Sequence, residues 1–280
     1  MRVGIVGYGV IGVATASIFS DVVIYDPPKG FAESDLLSDC GVVFVCLPTP
    51  TFGGRQDLSI IRQALDQITP ALRNEQVVAI RSTVLPGVTR RLQQEYPHVI
   101  LASNPEFLRS HRALYDMREP ARVVIGADHP KARRMLVEAY NGSLIDIRHR
   151  LVLTDCTTAE IIKYAANCYL AMKISYFNEL YDLCNTLDAN YSSLRIALEM
   201  DPRIGPGDEA TISPSNRGFD DECLPKDLDA FLTFLVKHNL PSVLHDATAK
   251  ANARVRPGLR GEVPAGEIFM YDRNSYGEEP

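Results

Sequence analysis

Val3-Gly4-Ile5-Val6-Gly7-Tyr8-Gly9-Val10-Ile11-Gly12 stands near the start of the chain, and its reading decides the fold. An apolar run from Arg2 to Val6 ends in this glycine turn. A helical pattern follows from Val13 to Phe19, and a second apolar run, Val22 to Tyr25, ends at Asp26. Strand, turn, helix, strand and acid in that order make a dinucleotide-binding βαβ unit. Gly7 permits the tight turn, Gly9 lets a pyrophosphate approach the backbone, and Gly12 lets the helix pack on the strand, with Tyr8, Val10 and Ile11 between them. Asp26 can accept hydrogen bonds from both ribose hydroxyls, and its charge would repel a 2′-phosphate, so the pattern favours NAD over NADP. Lys29 either reaches the ribose or phosphate side of the cofactor or is simply solvated. A tight βα turn in another α/β fold is the plainer reading of the glycines.

Further strands extend the sheet. Val42 to Leu47 reads as a buried parallel strand, stopped by Pro48-Thr49-Pro50 at the carboxyl edge, where ligands of open α/β sheets sit. Asp57-Leu58-Ser59 caps a helix running to Ile68. Val77 to Ile80 is the next strand, closed by Arg81-Ser82-Thr83-Val84-Leu85-Pro86-Gly87 on the same edge. Thr83 can bind the nicotinamide, hold a water, or cap the helix from Val88. Val99 to Ala102 runs into Ser103-Asn104-Pro105-Glu106-Phe107-Leu108-Arg109, where Glu106 reads as an acid, a base, a substrate contact or an ordinary surface carboxylate. A strand at Val123 to Gly126 and a helix at Lys131 to Tyr140 complete the unit near residue 150.

From Thr157 the period changes to 3.6 and stays helical through Leu187. Lys163 and Asn167 are four apart on one face, so both donors can polarise a single oxygen, although a solvated polar stripe would look the same. A helix this long and apolar suits an interdomain spine or a dimer core. Asp201-Pro202-Arg203-Ile204-Gly205 breaks the helices, and a polar loop leads to Gly218-Phe219-Asp220-Asp221-Glu222-Cys223-Leu224-Pro225-Lys226-Asp227. Pro225 fits the first turn of a helix, which places Cys223 at its positive end beside Lys226, a setting that favours the thiolate. Asp227 is a base or an occupant of the helix N-terminus. Leu228 to Lys237 and Pro241 to Arg254 read as helices, and Pro257 to Pro280 as an extended polar tail.

The chain has 280 residues, enough for two domains, and a net charge of −6, which offers no basic face for nucleic acid or anionic lipid. Six cysteines without paired metal spacing read as reduced thiols in a cytoplasmic protein, and no metal site is expected. No apolar run approaches a membrane span, and no signal peptide precedes the first strand. The expectation is an α/β fold, a Rossmann-type parallel sheet over residues 1–150 followed by an all-helical domain over 151–256, with 257–280 as the tail.

Taken in order, these segments resemble the UDP-glucose/GDP-mannose dehydrogenase family of nucleotide-sugar 6-dehydrogenases. The matching pieces are the Gly7–Gly12 turn with Asp26, Leu47-Pro48-Thr49-Pro50, Ser82 to Gly87, Asn104 to Arg109, Lys163 with Asn167, Asn178-Glu179, Asp201 to Gly205, and Cys223 to Asp227. The resemblance implies NAD-dependent oxidation of a sugar C6 alcohol to a carboxylate through a thiohemiacetal and a thioester on Cys223. It gives Lys163 and Asn167 the oxyanion, Asp227 a share in proton transfer, Thr83 a water and Glu106 base chemistry. Glu106, Phe107, Leu108, Phe219 and Arg203 would contact the substrate, the last in some members across a dimer interface. It implies a small-molecule substrate, a nucleotide sugar or another alcohol, and a homodimer. Three departures stand out: the second nucleotide-binding domain of the family has no counterpart, so a partner chain is one source for it; Asp220-Asp221 replace paired glycines; and Ser110 replaces a glutamate. A dehydrogenase of a smaller alcohol and a non-catalytic NAD-binding or partner-binding protein are the rival expectations.

Overall fold

The structure, a computed structural model, describes residues 1–221 and 223–256. The first half alternates strands and helices: β1 (Val3–Val6), α1 (Val10–Ala16), β2 (Val22–Tyr25), β3 (Val42–Val45), β4 (Thr51–Phe52), β5 (Arg55–Gln56), α2 (Ser59–Ile68), β6 (Val77–Ile80), α3 (Val88–Glu95), β7 (Ile100–Ser103), α4 (Ala113–Arg118), β8 (Val123–Gly126), α5 (Pro130–Asn141) and β9 (Leu151–Thr154). Seven strands form one sheet in the order β2-β1-β3-β6-β7-β8-β9, and β4 with β5 forms a separate hairpin. The central strands are runs of buried branched residues, which fits a sheet covered on both faces. Val42 and Phe44 face a core shared with Ala14, Ile18, Leu136 and Tyr140, while Val43 and Val45 face Leu65, Ile68 and Leu92.

The expected Rossmann-type sheet is present, with one difference. β7 and β8 run antiparallel and share a single residue pair, Ser103 with Gly126. Beyond that pair the Asn104 side chain takes over, donating from Nδ2 to the Val124 carbonyl at 2.7 Å. β9 pairs with β8 in parallel and carries the sheet four residues past position 150.

The second half is helical: α6 (Cys156–Thr186), α7 (Tyr191–Glu199), α8 (Leu224–Lys237) and α9 (Val243–Val255). Asp155 caps α6, its carboxylate accepting the Thr158 N–H at 3.1 Å. Both α8 and α9 pack on α6 around Tyr164, Cys168, Phe219, Leu228, Phe231 and Ala249. The tail expected over 257–280 lies outside the described residues.

The two halves are joined along α6. Glu160 accepts the Gly87 N–H at 2.6 Å and the Thr89 N–H at 2.8 Å, so a buried carboxylate from α6 satisfies the free donors that open α3. Thr83, one candidate for that cap, is therefore not needed for it; no side chain of its own turn caps α3. Replacing Glu160 with alanine orphans both donors and should lower the unfolding free energy in urea by about 1–3 kcal/mol, with Glu160→Gln losing less.

Candidate active site at the carboxyl edge of the sheet

The glycine turn behaves as its spacing requires. Gly7 has φ +86°, and a Cβ there would stand 2.6 Å from the Cys46 carbonyl. A Cβ on Gly12 would strike the Gly7 carbonyl, whereas one on Gly9 would meet nothing within 4 Å, so the backbone is open on the side where a pyrophosphate passes. Asp26 Oδ2 accepts the Tyr8 N–H at 2.7 Å, and no donor among the described residues reaches Oδ1, which leaves it for ribose hydroxyls. Lys29 is neither remote nor merely solvated: its ammonium donates to the Tyr8 carbonyl at 2.5 Å. Above the turn lies a cleft of about 780 Å³ lined by Tyr8, Gly9, Val10, Val13 and Lys29 on one wall and residues 110–115 on the other. These groups fit a dinucleotide.

The next two strand ends are tied together. Ser82 Oγ accepts the Leu47 N–H at 2.9 Å, and the Thr83 carbonyl accepts both Thr49 Oγ1 at 2.7 Å and Gln56 Nε2 at 2.9 Å. Gln56 also meets the Tyr164 hydroxyl at 3.0 Å and accepts the Leu85 N–H at 3.0 Å. It thus holds the Thr83 turn to α6. Sequence reasoning missed it, although Gly53-Gly54 between Phe52 and Arg55 is a two-residue hairpin signal that would have placed it. Pro48 is exposed and Thr49 buried at this edge.

The charged centre lies where β7 ends against α6. Lys163 Nζ is 3.0 Å from Glu106 Oε1, with side chains only 5% and 10% exposed. Glu106 Oε2 accepts the Leu108 N–H at 2.6 Å. Burial works to raise the Glu106 carboxyl, but the Lys163 ammonium and these hydrogen bonds outweigh it and hold the group below its usual range. Phe107 presents its ring to Arg122 at 3.8 Å and to Lys163 at 5.6 Å. One turn along α6, Asn167 Nδ2 donates to Asp227 Oδ2 at 2.6 Å, and Lys226 Nζ reaches Asp227 Oδ1 at 2.5 Å. Lys163 and Asn167 share a face as expected. However, each is engaged by a different carboxylate, and Asp227 pairs with Lys226 and Asn167 rather than with Lys163.

Cys223 is the N-cap residue of α8 and, of the six cysteines, the one that is not buried. Burial nevertheless pushes its thiol up, and Lys226 and then Lys163 pull it back down. The expectation that the helix end favours its thiolate is thus corrected, with burial as the main cause and Asp221 as a lesser one. Asp221 Oδ1 accepts the N–H groups of Cys223 at 3.1 Å and Leu224 at 2.7 Å, so a carboxylate already occupies that positive end. Asp220 is paired with Arg256 at 2.6 Å. The chain before the cysteine is clamped by two amides: Asn178 Oδ1 accepts from Arg217 Nε and the Gly218 N–H, and Asn252 bonds both the N–H and the carbonyl of Phe219. Phe219 is thereby a buried core residue of the helical half rather than an open contact. Arg203 stays outside this centre; its guanidinium is 87% exposed and paired with Asp201.

No helix among the described residues is long and apolar enough to cross a membrane, and no group of three or more metal-ligating side chains gathers there. Glycine turn, open groove and helical half define an NAD-binding protein of dehydrogenase architecture. Residues 31–143 match the NAD binding domain of the UDP-glucose/GDP-mannose dehydrogenase family, and residues 157–254 match its central domain. The chain belongs to the UDP-glucose/GDP-mannose dehydrogenase family. It is 33% identical over 228 residues to a UDP-glucose 6-dehydrogenase of Rickettsia bellii, covering 80% of this chain and 51% of that one. The chain therefore spans about half the length of the curated relatives it matches. A UDP-glucose dehydrogenase structure from Pyrobaculum islandicum superposes with a TM-score of 0.79 at 27% identity, over 90% of this chain and 68% of that one. A 3-hydroxyisobutyrate dehydrogenase of Mycobacterium tuberculosis shares the fold, with a TM-score of 0.67 at 16% identity over 90% and 92% of the two chains.

The depressed Glu106 carboxyl has a consequence for stability. Its contribution is complete above the ordinary value of 4.5 and is lost as pH falls through the lower folded value. Glu106→Gln should flatten that acid limb when urea unfolding is followed between about pH 3 and pH 7.

Proposed function

We propose that this chain is an NAD-dependent dehydrogenase that oxidises the C6 alcohol of a nucleotide sugar to a carboxylate through a covalent intermediate on Cys223. The single observation that carries the reading is the convergence of Lys163, Asn167, Asp227 and Glu106 around the mouth of the cysteine helix. NAD supplies a hydride acceptor for each of two oxidations when it is bound, with Gly7 to Gly12, Asp26, Lys29, Pro48, Thr49 and Thr83 holding it. The residues supply the rest. The C6 hydroxyl gives its proton to the Lys163–Glu106 pair as the first hydride leaves, which yields an aldehyde. The Cys223 thiol then adds across the carbonyl, its sulfur to the carbon and its proton to the oxygen, where Lys163 and Asn167 donate as charge develops. Loss of the second hydride, with the hydroxyl proton passing to the Lys163–Glu106 pair, turns this thiohemiacetal into a thioester. A water, held by Thr83 and relieved of its proton by Asp227, releases the carboxylic acid and returns the thiol.

Two features of the geometry support a cysteine kept as a thiol until substrate arrives. Burial raises it, and Lys226 and Lys163 stand ready to stabilise the thiolate once the site is closed. Asp220 and Asp221 are already engaged, the first by Arg256 and the second by the N–H groups that open α8. A second reading, oxidation of a smaller alcohol, draws on the fold shared with the 3-hydroxyisobutyrate dehydrogenase over 90% of this chain. NADH formation from UDP-glucose, GDP-mannose and a panel of simple alcohols separates the two. Under the proposal Cys223→Ala lowers NADH formation from the nucleotide sugar by about a thousandfold or more, and Asn167→Ala lowers it by about a hundredfold. NADH from a simple alcohol that persists in Cys223→Ala would instead favour the second reading.

We further propose a homodimer built on α6. Ile161, Tyr169, Tyr176 and Leu183 are each at least 42% exposed and recur at seven- or eight-residue spacing, so they line one apolar face of the helix. The exposed Arg203 fits a contact to a second copy. Tyr176→Asp combined with Leu183→Asp should halve the mass seen by sedimentation velocity without unfolding the chain.

A further inference from the structure

We propose that Arg122 is the anion anchor of the substrate site, binding a carboxylate or phosphate group of the substrate beside the Lys163–Glu106 pair. The inference rests on the reading above, in which substrate occupies that corner. Arg122 directly precedes β8, and its guanidinium carbon lies over the Phe107 ring, 3.8 Å from the centroid. It is half-buried, yet among the described residues it makes no hydrogen bond and has no carboxylate within 4.0 Å. Burial lowers its pKa, and nothing offsets that. A desolvated cation without a counter-charge is costly, so a site that keeps one is built for a charge that arrives.

The neighbours cannot supply the charge. Both oxygens of Glu106 are taken, one by Lys163 and the other by the Leu108 N–H. A second guanidinium, Arg81, is buried nearby and donates to Asn104 Oδ1 at 2.6 Å and the Tyr140 hydroxyl at 2.8 Å, again without a carboxylate partner. Lys163 and Arg81 therefore share one carboxylate, Glu106, and Arg122 has none. The missing anion is not the cofactor pyrophosphate. The glycine turn follows β1, and four strand spacings of about 4.8 Å separate β1 from β8, roughly 19 Å in all. A guanidinium fork held over an aromatic ring presents paired donors that match the oxygens of a carboxylate or a phosphate.

The test is calorimetric titration of the NAD-loaded chain, wild type and Arg122→Gln, with UDP-glucose, glucose 1-phosphate, glycerate and glucose. The expected result is that at least one anionic probe binds the wild type and is weakened about ten- to a hundredfold in Arg122→Gln, while NAD affinity is unchanged and Arg122→Lys recovers only part. Should Arg122→Gln fail to fold, Phe107→Leu, which removes the ring but not the charge, should weaken the same probe severalfold. Glycerate binding that depends on Arg122, with no binding of UDP-glucose, would remove the nucleotide-sugar reading and leave Arg122 in its role. Equal affinities in wild type and variant, a parallel loss of NAD, or a wild type that binds none of the anions would overturn the assignment.

Discussion

The ion pair between Lys163 and Glu106 is the contact on which the arrangement depends. One partner comes from the long helix of the second half and the other from the loop after β7, so the pair fixes where the helical half meets the sheet edge. Two buried charges are a poor device for stability alone, since well-packed apolar side chains would serve as well or better. Other contacts already join the halves, namely Glu160 on the start of α3 and Gln56 between the Thr83 turn and Tyr164. In the proposed mechanism the pair stands where a proton must move.

Charge around the cysteine follows from this placement. Its helix end is taken by Asp221, its surroundings are partly dry, and its nearest cations are Lys226 and Lys163. Asp227 is 1% exposed and held from both sides by Asn167 and Lys226, so it cannot drift toward the sulfur. Two asparagines clamp the approach to the cysteine, which makes its position a property of the packed helices rather than of a free loop.

Much of this was legible in the amino-acid order. Strands at Val22 to Tyr25, Val77 to Ile80 and Val123 to Gly126 fall where their apolar runs place them, because short runs of branched apolar residues carry a strong compositional signal. The glycine turn with Asp26, and the helix that starts after Cys223, were equally readable from local chemistry. What the sequence could not supply is partnership at long range. Glu160 looks like any helical glutamate until Gly87 and Thr89 are brought to it, 73 and 71 residues away. Lys163 was paired by spacing with Asn167, but its actual partner lies 57 residues upstream. Asp221 stands out in the sequence only as a departure from paired glycines, whereas in the fold it accepts the N–H groups that open a helix. Local rules fix elements; which charges meet is decided by the packing of the two halves.

In the proposed mechanism Lys163 on α6 and Cys223 on α8 serve one site. The most direct test is the pH dependence of Cys223 alkylation by iodoacetamide, compared between the wild type and the charge-balanced double substitution Lys163→Met with Glu106→Gln. Removing the ammonium should move the alkylation midpoint upward by about half a pH unit or more. A midpoint that stays where it is in the wild type would mean that the two groups do not share a site, and the account would be contradicted.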